Sequence, residues 1–123
     1  MASSVHSIVI DAADPNKLAT FWEQVLDYNR TYESDEHGYE VVISPKAGKG
    51  NDILFGRSED EKNGKNRIHL DLKPTDQTAE VERVLALGAT KTDIGQKDTP
   101  WVVLADPEGN EFCILKPRAE LPE

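Results

Sequence analysis

The second half of this chain repeats the pattern of the first, and that repetition constrains the fold more than any single element does. In each half an aspartate, Asp14 or Asp76, separates a Val/Ile- or Leu-containing run from a segment of helical periodicity. In each half a Gly-Asn-acid turn, Gly50-Asn51-Asp52 or Gly109-Asn110-Glu111, opens the last apolar run. These two anchors put the halves in register. Counting back seven residues from the helix-opening aspartate reaches Ser7 and His69, and counting four forward from the turn glycine reaches Leu54 and Cys113.

The first half predicts a strand over residues 5–11 that runs into Asp14-Pro15, where Asp caps a helix and Pro suits its first turn. Leu18, Phe21, Trp22, Val25 and Leu26 then recur at helical spacing, which predicts a helix over 15–26 with one face to bury. Short strands are expected at 28–33, 39–44 and 52–56, each bounded by Gly, Pro, Asn or Ser. After a charged loop over 57–66, the order recurs: a strand at 67–73, then a helix from about 76 with Val81, Val84 and Leu85 on one face. Gly88 supplies the helix stop. Strands follow at 90–94, 101–105 and 111–116, and the tail 117–123 is expected to fray. The chain thus reads βαβββ twice, with repeats over about 5–56 and 67–116 of one 1–123 domain, a size suited to a single core.

Side chains alternate across a strand, so each strand's site-facing residues can be read from its core-facing ones. Ile68, Leu70 and Leu72 are expected to pack on the helices, leaving His69 and Asp71 on the opposite face. The same parity sends Phe112 and Ile114 to the helices and Glu111 and Cys113 away, and it sets Ile53 and Phe55 against Asp52 and Leu54. Ser7, Val9 and Asp11 likewise oppose Ile8 and Ile10. Ser7, Leu54, His69 and Cys113 are therefore the four equivalent positions of a concave face, with Asp52, Asp71 and Glu111 near them. Residues two apart on a regular strand are about 7 Å apart, which argues against a direct His69–Asp71 contact.

Charge and composition narrow the partners. Lys and Arg total 14 against 23 Asp and Glu, a formal charge of −9, so the field repels phosphate backbones and nucleic acid is not an expected partner. Residues 1–10 lack a basic segment followed by a long apolar stretch, so no secretory signal or membrane span is expected and a cytoplasmic location follows. Cys113 is the only cysteine, which excludes an intrachain disulfide and any CxxC motif. With no cation or helix start evident to activate it, Cys113 reads as a small core filler. Trp22 and Phe21 belong to the helix core, whereas Trp101, beside Pro100 at a strand start, can stack on a ligand at a cavity rim. Residues 47–50, Ala-Gly-Lys-Gly, lack P-loop spacing, and residues 106–110, Asp-Pro-Glu-Gly-Asn, place Gly wrongly for a calcium loop, so both read as turns.

The double βαβββ order resembles the vicinal oxygen chelate superfamily of glyoxalases, bleomycin resistance proteins and extradiol dioxygenases. Stretches such as IVIDAADPNKLATFWEQVL, KNRIHLDLKPTD, VERVLALGA and ADPEGNEFCIL are similar to its glyoxalase-like branch. The resemblance implies an α+β fold in which the two repeats form a curved, cavity-enclosing mixed sheet with helices outside. It also implies a small-molecule ligand and a homodimer.

In the metal enzymes of that superfamily a divalent ion is held by His, Glu or Gln from the first and last strands of the two halves. Carried over, those positions are Ser7, Leu54, His69 and Cys113, of which only His69 is an imidazole. No cofactor is therefore favoured. The alternative is a divalent Mg, Mn, Fe, Ni or Zn ion on His6, His69 and Glu111, which needs a β-bulge to turn His6 inward and a ligand two residues from its expected place. The expected function is binding of a small organic molecule, with a cationic one suited to the acidic face, as in the antibiotic-sequestering members. The rivals are a metal-dependent lyase, isomerase or dioxygenase, and a metal-free enzyme with His69 as catalytic general base or acid.

Overall fold

The computed structural model of the chain describes residues 2–36, 39–93, 95 and 99–117. It divides into two compact units, Met1–Glu61 and Lys62–Glu123, and each unit carries one βαβββ repeat around its own four-stranded mixed sheet.

In the first unit, β1 (Ser7–Ala12) leads into α1 (Pro15–Leu26), followed by β2 (Tyr28–Ser34), β3 (Glu40–Pro45) and β4 (Asp52–Arg57). The sheet order is β1-β4-β3-β2, with β1 and β4 parallel and the other pairs antiparallel. The helix starts where the sequence places its cap, since the Asp14 carboxylate accepts a hydrogen bond from the Lys17 amide at 3.1 Å and Pro15 follows. It ends at Asp27, which takes the left-handed conformation at φ 56° that a short polar side chain tolerates. The apolar stripe Leu18, Phe21, Trp22 and Val25 is buried together with Val41, Ile43, Ile53 and Phe55, so the strand parity read from the sequence holds here. Phe21 and Trp22 meet edge to face, their ring centroids 5.2 Å apart.

Arg30 on β2 staples this unit. Its guanidinium reaches Glu23 at 2.8 Å and Glu33 at 2.8 Å, and also bonds Asn16 and Thr20, which joins α1 to the sheet edge. A register shift between Arg30 and Tyr32 bulges β2 at Thr31. The turn before β4 depends on Gly50: its φ is +106°, and a Cβ there would lie 2.8 Å from the Tyr28 hydroxyl.

The second unit has β5 (Leu70–Leu72), α2 (Gln77–Leu87), β6 (Thr90–Lys91), β7 (Val102–Ala105) and β8 (Glu111–Ile114), in sheet order β5-β8-β7-β6. Its connectivity reproduces the first unit, with β5 and β8 parallel. Asp76 caps α2 by accepting from the Ala79 amide at 3.1 Å, and Gly88 closes it at φ 125°. Val81 and Val84 are buried along with Val103, Leu104, Phe112 and Ile114. The turn at 106–110 is held by the buried Asp106 carboxylate, which accepts from the Glu108 and Asn110 amides at 2.9 and 3.0 Å and from the Asn110 side chain.

The strands of this unit are shorter than the sequence predicts. β5 covers three residues of the expected 67–73, and Ile68 is 82% exposed, where a core position was expected. The reason is that β5 pairs with β8 only from Leu70 to Leu72, so nothing in the ladder imposes alternation on residues 67–69. β6 has two residues; Ile94, its expected end, and residues 118–123 of the expected frayed tail lie outside the described residues.

Candidate functional site

Three polar side chains of the second unit converge on the face of its sheet opposite Leu70, Leu72, Phe112 and Ile114. Asp71 lies on β5 directly across from Cys113 on the neighbouring parallel strand β8, and adjacent strands are about 4.8 Å apart, so the two side chains stand side by side. His69 precedes β5. Its Nε2 lies 3.1 Å from Asp71 Oδ1. The contact denied by regular strand geometry exists because His69 is outside the ladder, where its backbone is not held in the extended two-residue repeat. A donor atom from each of His69, Asp71 and Cys113 lies within 4.8 Å of the others.

Access to the cluster is uneven. The side chains of His69 and Asp71 are 39% and 51% exposed, whereas Cys113 is 4% exposed, so the sulfur forms the floor and the imidazole and carboxylate the rim. Burial pushes the Cys113 thiol above its ordinary value, and the adjacent Asp71 carboxylate, which accepts its hydrogen bond, pushes it further; Lys65 opposes this. The thiol is thus protonated at neutral pH, as the core-filler reading of Cys113 requires, but it is also a partner of Asp71.

The other candidate residues occupy different settings. Glu111, at the start of β8, is engaged: its two carboxylate oxygens accept from the Asn66 amide at 2.7 Å and from Lys62 Nζ at 2.9 Å. Burial alone would raise its carboxyl, but these donors hold it below the usual carboxylate range. Glu111 therefore ties down residues 62–66, a role the sequence signalled only as a charge-rich loop. Trp101 stands just before β7 and is 39% exposed, with its backbone carbonyl accepting from the Thr99 hydroxyl at 3.0 Å.

In the first unit, Ser7, Asp52 and Leu54 are half-buried and His6 is exposed ahead of β1. Ser7 pairs with Asp52, and Val9 pairs with Leu54 where the second unit pairs Asp71 with Cys113. The first repeat is consequently apolar at the two positions that carry the carboxylate and thiol of the second. Asp52 also bears on Tyr28, whose hydroxyl is raised by burial and then by that carboxylate.

A hard divalent ion such as Mn(II) takes oxygen and imidazole ligands. Ser7, Leu54, His69 and Cys113 offer one imidazole, and the nearby carboxylate of Glu111 is spent on Lys62 and Asn66. The residues at these four positions do not fit such an ion.

Comparison with known proteins places these features in context. The model of the glyoxalase-like domain family matches residues 7–115. No curated protein sequence matches. Among solved structures, the fosfomycin resistance protein FosX from Listeria monocytogenes superposes with a TM-score of 0.73 at 19% identity, covering 98% of this chain and 96% of its own. FosX from Mesorhizobium loti gives 0.70 at 16% identity, covering 94% and 92%. A glyoxalase/bleomycin resistance protein/dioxygenase family enzyme from Burkholderia phytofirmans gives 0.69 at 21% identity, covering 89% and 95%. The Listeria protein has also been crystallised with Mn(II) and a sulfate ion. At these identities the likeness is one of fold, and the fold is that of the glyoxalase/bleomycin resistance proteins.

Proposed function

This chain belongs to the glyoxalase-like domain family, and we propose that it acts within it as a binding protein for a small organic molecule, without the hard-ion site of the metal enzymes. The observation that carries this reading is the donor set: of Ser7, Leu54, His69 and Cys113, only His69 offers a nitrogen ligand. The two repeats act as one domain. The exposed Asp71 carboxylate and a net charge of −9 favour a cationic ligand, and the part-exposed Trp101 ring of the same unit offers a stacking surface. Asp71 fixes the His69 ring and can pair with a ligand cation, while Cys113 supplies a buried, uncharged floor. The resemblance to the superfamily implies a homodimer as the working form, here taken to be cytoplasmic, and sedimentation checks the assembly.

The test is a panel of cationic aromatic and glycopeptide antibiotics, with fosfomycin included, read by tryptophan fluorescence and melting temperature. Saturable binding that persists in chelator supports the reading, and uniformly flat responses refute it. A second reading is favoured by the Mn(II)-bound FosX neighbour: a divalent-metal-dependent lyase, isomerase or dioxygenase. Such an ion would polarise a bound oxygen. Elemental analysis of protein purified without chelator separates the two, since stoichiometric Mn lost on His69→Ala would establish the second.

A further inference from the structure

We propose that residues 62–68 form a strap across the site face of the second repeat, latched by Glu111 and released as a unit to let small molecules reach that face. This deepens the function proposed above, on which the identity of the incoming molecule as a ligand rests. Access itself is measured with a thiol reagent, so the strap and the ligand can fail separately.

The first support is how the segment is attached. Among the described residues, none from 62 to 68 makes a backbone–backbone hydrogen bond, so the strap is not part of the sheet. Its side-chain hydrogen bonds are either internal, from Lys62 Nζ to the Gly64 carbonyl and from Lys65 Nζ to the Asn66 carbonyl, or they reach Glu111. The Glu111 carboxylate accepts from Lys62 Nζ at 2.9 Å and from the Asn66 amide at 2.7 Å, and the Glu111 carbonyl accepts from the Asn66 side chain at 3.5 Å. Charge-assisted bonds of this kind are strong singly, but these share one anchor. Losing that anchor frees the whole segment without breaking the β-ladder, which is the condition for local opening below global unfolding.

The second support is where the strap lies. Glu111 and Cys113 are two apart on β8 and share the face opposite Phe112 and Ile114. A segment bonded to the Glu111 carboxylate therefore sits over that face, and Lys65 is close enough for its charge to bear on the Cys113 thiol. The strap runs directly into His69, so its release also frees the rim. Gly64, with φ at +87° and nothing within 4 Å of a built Cβ, gives it a turn with room to move.

Cys113 is the only cysteine and is 4% exposed on this face, so its alkylation reports opening. The full-length protein is reacted with neutral iodoacetamide over a series of urea concentrations, and labelling is followed by mass. The expected parent rate is independent of urea at low concentration, because local opening exposes little surface, and joins the global unfolding line near the transition. Glu111→Gln and Lys62→Met should each raise the urea-independent rate roughly fivefold or more and speed tryptic cleavage after Lys65. The two substitutions change local charge in opposite senses, so a rise in both reports the latch and not the reactivity of the thiol. General destabilisation would move only the urea-dependent limb, and Lys62→Met still reports if the Glu111 variant does not fold. Labelling that follows global unfolding at every urea concentration, or a plateau unchanged in these variants, would overturn the proposal. A raised plateau beside flat antibiotic responses would uphold the strap and refute the ligand reading.

Discussion

Asp71 and Cys113 face each other across the parallel β5–β8 register, and the carboxylate accepts the hydrogen bond of the buried thiol. Both burial and the Asp71 charge hold the Cys113 thiol above its ordinary value. Asp71→Asn removes the charge and leaves the burial, so the thiol titrates at lower pH than in the parent protein while staying on the raised side. Thiolate ultraviolet absorbance followed against pH measures this. An unchanged or higher midpoint would mean that Asp71 does not act on the sulfur.

Glu111 anchors residues 62–66 through Lys62 and the Asn66 amide. Glu111→Gln is expected to cost about 1–2 kcal/mol in denaturant unfolding near pH 7, the scale of charge-assisted hydrogen bonds on a largely buried acceptor. Because its folded-state carboxyl is held below the ordinary range, its contribution is fully present above that range and is lost as pH falls through the lowered value. The stability gap between parent and variant should therefore narrow in acid. A gap independent of pH between neutrality and strong acid would contradict the ion-pair account.

How much of this was legible in the sequence follows from how locally each feature is encoded. Asp14 and Asp76 announce their helices through capping chemistry, and Gly88 announces a stop, because each acts on backbone within one turn of itself. Ile53, Phe55, Phe112 and Ile114 obey alternation because their strands are paired along their length. Ile68 does not, because pairing starts at Leu70, and the length of a ladder depends on a distant partner strand.

The same shortening is why regular strand spacing argues against the His69–Asp71 contact although the contact exists: His69 lies ahead of the ladder, which starts at Leu70. Strand parity marks Glu111 as an acidic residue on the site face, but its engagement by Lys62 and Asn66 spans more than forty positions of chain and leaves no local pattern.

Gly50 carries a backbone conformation that the turn into β4 requires. With φ at +106° and the Tyr28 hydroxyl 2.8 Å from a built Cβ, Gly50→Ala should destabilise the fold by about 1–2 kcal/mol, from left-handed strain and displacement of the Tyr28 ring. Gly48→Ala is the control: its φ is also positive, +71°, but nothing lies within 4 Å of its Cβ, so it should cost less in the same chemical denaturation experiment. Equal costs at the two sites would show that the contact with Tyr28 is irrelevant.

If this chain binds a small organic molecule without the hard divalent ion of the family's metal enzymes, binding must survive removal of metal. Its two tryptophans make the test direct, since Trp22 is 2% exposed in the first core and Trp101 is 39% exposed beside β7. The decisive measurement is a fluorescence titration of chelator-treated protein with a cationic aromatic antibiotic, repeated with Trp101→Phe and after adding Mn(II). Metal-free binding gives a saturable change that needs no Mn(II) and is lost in Trp101→Phe. A response that appears only when Mn(II) is added would contradict it.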